Sequence, residues 1–177
     1  MDMKLWQKDK DSKKEVTDFT TGKDQEMDLY LAKFDVLGSL AHIQMLQSIN
    51  LLTKEELSLL SAELKNIYRE IEKGNFAIDS GVEDIHSQIE LLLTKKLGDV
   101  GKKIHSGRSR NDQVLVDIKL FIRSELESIV NETKSLFDLL IQLSEAHKEK
   151  LLPGYTHLQL AMPSSFGLWF GAYAESL

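Results

Sequence analysis

The sequence predicts an all-α protein. A small N-terminal helical domain, residues 1–110, leads into residues 111–177, which read as the first long helix and the start of the second helix of a central long-helix bundle. Three observations carry this. Only two prolines occur, Pro153 and Pro163, so no proline interrupts the chain before residue 153. Apolar residues recur at three- and four-residue steps, the period of a helix with one buried face. Leu115, Ile122, Ile129, Leu136 and Leu143 fall every seven residues, the repeat of helices packed along their length.

Composition narrows the class further. Of 177 residues, 42% are hydrophobic and 28% charged, the balance of a soluble globular chain rather than a disordered one. There is no cysteine, which excludes a disulfide framework, a thiolate nucleophile and a zinc–thiolate site, and fits a reducing compartment. A net charge of -6 and a pI of about 5.4 argue against a nucleic-acid binder. Met1 to Lys14 is rich in Lys and Asp and does not read as a signal peptide. The longest apolar stretch, Phe166 to Ala174, is about half of a membrane span.

Residues 1–23 read as an irregular lead-in. A helix is expected from Asp24 to Ile49, with Met27, Tyr30, Leu31, Phe34, Leu37, Ala41 and Met45 on its apolar face. Gly38 inside it costs about 1 kcal/mol against Ala, so a closely packed neighbour is expected there. Thr53 and Glu56 form a capping-box pattern. It opens a second helix with Leu57, Leu60, Leu64, Ile67 and Ile71 on one face, ended by Gly74. A third helix has Glu83 and Asp84 in its first turn, Lys95 and Lys96 in its last, and stops at Gly98. Asp99 to Ser109 reads as a loop. The long helix is expected over 111–150, roughly 60 Å at 1.5 Å per residue. Leu152-Pro153-Gly154 breaks it, Tyr155 to Pro163 crosses as a loop, and Ser164 to Leu177 begins another apolar helix. That segment stops with no cap, Gly or polar tail, so the end reads as a cut inside a helix of a longer protein.

Three segments could carry chemistry. In Glu83-Asp84-Ile85-His86 the carboxylates suit a helix cap, and the His adds a proton carrier or anion partner. His105-Ser106-Gly107-Arg108-Ser109-Arg110-Asn111-Asp112-Gln113 puts two Arg, a His, two hydroxyls and an Asn on a loop that feeds a helix N-terminus. Such a place favours an anion, and Arg suits a carboxylate or phosphate. The same loop also reads as a basic turn capped by Ser109 or Asn111. It lacks the phosphate-loop spacing. In Gly154-Tyr155-Thr156-His157-Leu158-Gln159 the His reads either as a general acid or base or as a structural group. His42, His86, His105, His147 and His157 have no metal-binding spacing. No metal and no cofactor are expected.

These segments resemble those of the argininosuccinate lyase family, within the fumarase/aspartase superfamily. The resemblance runs from about Leu5 to the last residue. Asp28 to Leu46 contains the pattern D-x-x-L-x-x-x-D-x-x-G-S-x-A-H, and the other three segments follow in the family's order. The G-R-S-R-N-D-Q run is specific, since adenylosuccinate lyase, fumarase and aspartase carry S-S-D or S-S-N-D there. The resemblance implies a carbon–nitrogen lyase that splits argininosuccinate into arginine and fumarate by β-elimination, in the last step of arginine biosynthesis. It implies a cytoplasmic homotetramer whose active sites each combine segments from three subunits, with neither nucleic acid nor membrane as partner. His157 matches the catalytic, proton-accepting His, and Asn111 and Thr156 match substrate-holding positions. Arg108 and Arg110 match the signature arginines, in carboxylate-binding or structural roles, and Asp84 and His86 match a segment lining the same cleft. Adenylosuccinate lyase and a catalytically silent relative of the delta-crystallin type are the competing readings. Met162 stands where the family usually has Gln, and Phe19-Thr20-Thr21-Gly22 gives no clean counterpart of the Ser ahead of the first helix. The family's mobile serine loop has no counterpart in these 177 residues.

Overall fold

The computed structural model describes residues 19, 22–79 and 81–177. It divides into two compact units, Met1–Ile122 and Arg123–Leu177. Among the described residues the chain is mostly helical, as expected, with one small two-stranded sheet. Among the described residues no helix is long and apolar enough to cross a membrane. Most of the lead-in, with Thr20 and Thr21, lies outside the described residues.

In the first unit the helix expected from Asp24 to Ile49 is two helices, α1 (Asp24–Asp28) and α2 (Ala32–Ser48). Between them the N–H groups of Tyr30, Leu31 and Ala32 donate three residues back, to Met27, Asp28 and Leu29, a tighter turn than the α pattern. In this turn Asp28 Oδ2 accepts from the Ile85 N–H at 3.1 Å.

The buried face of α2 also differs from expectation. Of the expected face Phe34 is buried, whereas Met27, Tyr30, Leu37 and Met45 are exposed. The core receives Ala32, Val36, Ile43 and Leu46, and Asp35 and Ser39 are buried on the same side. The helix carries two apolar stripes. The one interleaved with polar residues is buried because those residues find partners on other helices. Gly38 sits against α6 (Arg110–Ala146): an added Cβ would meet Val116 Cγ1 at 3.4 Å and Asp117 Oδ1 at 3.5 Å. That is the close neighbour its cost implied.

α3 (Lys54–Glu72) opens with the expected capping box. The Glu56 N–H donates to Thr53 Oγ1 at 3.1 Å, and the Thr53 N–H donates to Glu56 Oε2 at 3.0 Å. Leu60, Leu64 and Ile67 go into the core, and Gly74 turns the chain at φ +72°. α4 (Ile85–Leu97) adds Ile85, Ile89 and Leu93 to that core and stops at Gly98, φ +62°. Glu83 and Asp84 precede this helix rather than filling its first turn, and Asp84 is its N-cap. Where a loop was expected, α5 (Asp99–Lys102) and a 3-10 turn (Lys103–His105) follow. Here burial of Ile104 and the approach of Gly101 to α4 give the backbone a reason to coil. A Cβ on Gly101 would lie 2.5 Å from the Leu93 carbonyl.

α6 spans 37 residues, and its only buried residues are polar, Gln113 and Asp117. Along the seven-residue seam, Leu115, Ile122, Ile129 and Leu136 are exposed.

In the second unit the segment expected to cross as a loop is a β-hairpin, β1 (Leu151–Thr156) paired antiparallel with β2 (Gln159–Ser165). Pro153 faces Pro163, which is tolerated because each strand has a free edge. A register shift between Gly154 and Tyr155 admits Ala161 as an extra residue on β2. The two turn residues, His157 and Leu158, both have positive φ, 50° and 61°. Such turns normally use Asn-Gly, so the usual hairpin signal is missing. Ser165 caps α7 (Phe166–Ala174), accepting from the Leu168 N–H at 3.1 Å. Gly167 brings α7 onto the end of α6, with the place of its Cβ 2.6 Å from Lys148 Cα.

Two outcomes follow from this packing. Gly101→Ala must push α5 off α4 and is expected to destabilise the first unit by about 1–3 kcal/mol, read from denaturant unfolding; an unchanged midpoint contradicts the close approach. Leu115, Ile122, Ile129 and Leu136 leave an apolar seam exposed along α6, the kind of surface that favours self-association. Sedimentation at micromolar concentration is expected to find at least a dimer, and a monodisperse 20.1 kDa monomer contradicts this.

Candidate functional site

The start of α4 and the start of α6 are joined by ion pairs and hydrogen bonds. Asp84 extends its backbone ahead of α4 and accepts from the Ser87 N–H at 2.8 Å. Its other oxygen meets Arg110 Nη1 at 2.5 Å, and Arg110 Nη2 donates to Ser87 Oγ at 3.0 Å. Glu83 lies 3.8 Å from the same guanidinium. Two of the three segments singled out in the sequence are therefore in direct contact.

Arg108 points the other way, onto α2. Its Nη2 donates to Ser39 Oγ at 3.0 Å, and its buried Nε has no hydrogen-bond partner. Burial pushes this guanidinium down, while the carboxylates of Asp35, Asp117 and Glu90 hold it up. The loop is fixed again by His42, whose Nε2–H donates to the Ser106 carbonyl at 2.9 Å; the carbonyl can only accept, so this nitrogen carries the proton. Burial and then Arg108 lower the His42 pKa. Gly107 turns the loop at φ +73°. Ser109 and Asp112 bond reciprocally, Ser109 N–H to Asp112 Oδ2 at 2.9 Å and Asp112 N–H to Ser109 Oγ at 3.3 Å. Ser109, and not Asn111, is thus the cap. Asn111 is left exposed in the first turn of α6, beside backbone N–H groups that favour an anion.

Behind this surface lies a buried polar set. His86 Nδ1 is 3.3 Å from Asp35 Oδ2 and 3.8 Å from Asp117 Oδ2. Asp35 and Asp117 are each 1% exposed and His86 6%. Gln113 Nε2 donates to the other Asp35 oxygen at 3.2 Å. Asp35 Oδ2, Asp117 Oδ2 and His86 Nδ1 lie within 4.8 Å of one another but form no well-aligned hydrogen bond. Burial pushes Asp117 up to about 7, with Asp35 adding to it and His86 and Arg108 opposing. Burial also disfavours the charged His86 ring, but Asp35 first, then Asp84 and Asp117, outweigh it and leave His86 raised. Two carboxylates here face one imidazole, with the Arg108 guanidinium acting on both carboxylates.

Thr156 and His157 belong to the second unit. Thr156 ends β1 and pairs with Gln159, and His157 occupies the left-handed tip of the hairpin. Both are exposed. A broad groove of the first unit, between α3 and α4, is lined by Glu63, Arg69, Lys73, Asp79, Lys95 and Lys96. None of the candidate residues lines it.

Residues 7–177 match the protein family described as Lyase. The chain belongs to the lyase family. An argininosuccinate lyase of Phocaeicola vulgatus is 67% identical over 177 residues, all of this chain and 40% of that enzyme. That of Parabacteroides distasonis is 66% identical over the same span. That of Caldanaerobacter subterraneus is 44% identical over 175 residues, 98% of this chain and 39% of that enzyme. The lyase chain thus spans about 40% of the length of these curated relatives. Among solved structures, a variant of EDDS lyase with bound fumarate has a TM-score of 0.67 at 24% identity, covering 90% of this chain and 32% of its own. The beta-carboxy-cis,cis-muconate cycloisomerase of Acinetobacter calcoaceticus also has a TM-score of 0.67, at 16% identity, covering 92% of this chain and 38% of its own. These two share the fold.

Sequence reasoning passed over Asp35, Ser39, Gln113 and Asp117. Asp35 and Ser39 stand in the motif that contains Gly38, yet no chemistry was assigned to them. The available signal was a polar residue on the core side of a helix, visible only with the correct buried faces of α2 and α6. Both Asp117 and His86 bind protons more tightly folded than unfolded. Asp117 therefore loses its stabilising proton as pH rises from its ordinary 3.8 through about 7. The His86 contribution is complete below 6.5 and is lost as pH rises through its higher folded value. Denaturant unfolding should show stability falling from about pH 4 to about pH 7 on account of Asp117, and further above 6.5 on account of His86, by an amount on the order of a few kcal/mol. Asp117→Asn should flatten the slope, and an unchanged slope in that variant contradicts the assignment.

Proposed function

We propose that this chain is the N-terminal part of an argininosuccinate lyase, which splits argininosuccinate into arginine and fumarate. The observation that carries the reading is the run Gly107 to Gln113, fastened by Arg108 to α2 and by Arg110 to Asp84, in a chain whose close relatives are argininosuccinate lyases. The two signature arginines are engaged by protein partners, which supports their structural role and leaves Asn111 free for the substrate.

In the proposed reaction His157 accepts the proton from the carbon next to a substrate carboxylate. The electron pair left behind forms the double bond of fumarate as the C–N bond breaks, and the departing nitrogen leaves as part of arginine. Negative charge grows on the carboxylate beside the carbanion, so donors aimed there lower the barrier. Asn111, with the first N–H groups of α6, and the Thr156 hydroxyl supply such donors. Asp84 holds Arg110, and His86 lies behind it against Asp117 of the same helix. Residues 111–177 form the beginning of the central helical bundle. The assembly is a cytoplasmic homotetramer of full-length subunits, each site drawing segments from three of them, and the exposed seam of α6 supports this. The enzyme serves the last step of arginine biosynthesis and uses no cofactor.

Fumarate release, followed by ultraviolet absorbance, tests the reading. In a full-length subunit carrying these residues, His157→Asn is expected to slow turnover by about 10²–10⁴-fold, and Asn111→Ala to lower it strongly, with the fold kept. Near-normal rates in both variants contradict the residue assignment. The 177-residue chain alone is expected to show no turnover, because the family's serine loop has no counterpart in it; rates of about 1–10³ per second would overturn that.

A further inference from the structure

We infer that Asp35 and Asp117 are positioning residues which, with His86, form one proton-holding lock between α2, α4 and the first turns of α6. Their role in catalysis rests on the proposed function; the lock itself does not. Three observations support it. The three side chains come from three helices that share no sequence proximity, and all are more than nine-tenths buried. The atoms that face one another, Asp35 Oδ2, Asp117 Oδ2 and His86 Nδ1, have no other hydrogen-bond partner. The groups that hold the lock in place also hold the loop ahead of α6: Gln113 donates to Asp35, and Arg108 reaches Ser39 one turn along α2 from Asp35.

Two carboxylates this close in a buried site cannot both stay ionised at little cost unless a proton sits among them. With a proton on the imidazole, His86 is drawn to both carboxylates and the three helices are held together. Without it, two buried negative charges repel across a neutral ring. The remaining charged groups facing the set are Asp28 at the end of α1, Asp84 ahead of α4 and Arg108 from the loop, and Glu90 on α4 acts on Arg108. Asp28 is occupied by the Ile85 N–H and Asp84 by Arg110. Arg108 is the one cation of this group that acts on both carboxylates. Asn111 stands six residues before Asp117 on the same helix, so an unlocked helix start displaces it.

Nitrogen-15 NMR of the histidine rings tests this directly, with His86→Asn used to assign the His86 signal among the five histidines. In the unsubstituted chain the His86 signal is expected to titrate in two steps through the neutral range, as coupled groups do. In Asp117→Asn it should titrate in one step, displaced to lower pH. A side chain that merely fills space would leave the His86 curve unmoved, and identical curves overturn the lock. If the variant does not fold, the unsubstituted chain decides: a single step at the ordinary imidazole value overturns it. A cation held by the three groups would abolish the His86 titration when zinc is added at stoichiometric amounts, and that result also overturns it.

The catalytic part is read in a full-length subunit. Asp117→Asn is expected to lower kcat by about 10–10²-fold with little change in KM, and to move the alkaline limb of the pH–rate profile toward lower pH. An unchanged rate and profile, with the NMR result as expected, overturns the positioning role. If the unsubstituted full-length subunit releases no fumarate from argininosuccinate, the proposed function fails while the NMR result still reads the lock.

Discussion

The first unit depends on one constraint: two aspartates on different helices are buried and must be neutralised by groups from elsewhere in the chain. Asp35 and Asp117 are almost fully withdrawn from water, and a buried carboxylate is tolerated only when charge and hydrogen bonds reach it. His86 and Gln113 reach them directly, and Arg108 reaches them through its field. Satisfying this constraint brings together the start of α4, the loop 106–109 and the start of α6. Apolar contacts among α2, α3 and α4 make the core. α6 enters it through the buried Gln113 and Asp117, beside an edge-to-face contact of Phe34 with Phe121.

The same requirement explains the reversed character of α6. An ordinary helix buries its apolar stripe and exposes its polar one. Here the polar Gln113 and Asp117 are inside, while Leu115, Ile122, Ile129 and Leu136 face outward. The helix is anchored by charge and hydrogen bonding at its beginning, and its hydrophobic surface remains for other helices. The chain spans about 40% of the length of its curated relatives.

The hairpin in the second unit solves a different problem, how to present a polar side chain at a sharp turn. His157 and Leu158 both take the left-handed conformation, which costs of order 1–3 kcal/mol per non-glycine residue. Gly154 permits the strands to meet, since a Cβ there would lie 2.9 Å from the Met162 carbonyl oxygen. The arrangement places Thr156 and His157 at an exposed tip, where the histidine is open to a proton donor or acceptor.

Periodicity, caps and glycines in the sequence were enough for the helical class, for α3 with its Thr53–Glu56 box, for the stops at Gly74 and Gly98, and for the long helix. They work because they act within a few residues, through backbone hydrogen bonds and side chains one turn apart. The candidate segments were also legible, because Arg, His and Asn crowded beside a glycine are rarely needed for packing alone. Three things were decided only in three dimensions. The buried stripe of α2 was one, since two apolar stripes compete and only the partners of Asp35 and Ser39 break the tie. The hairpin was another, because a turn built from His157 and Leu158 carries no local signal of its type. The last was the meeting of Asp35, His86 and Asp117, whose interaction exists only once α2, α4 and α6 have brought residues 35, 86 and 117 to one place out of water.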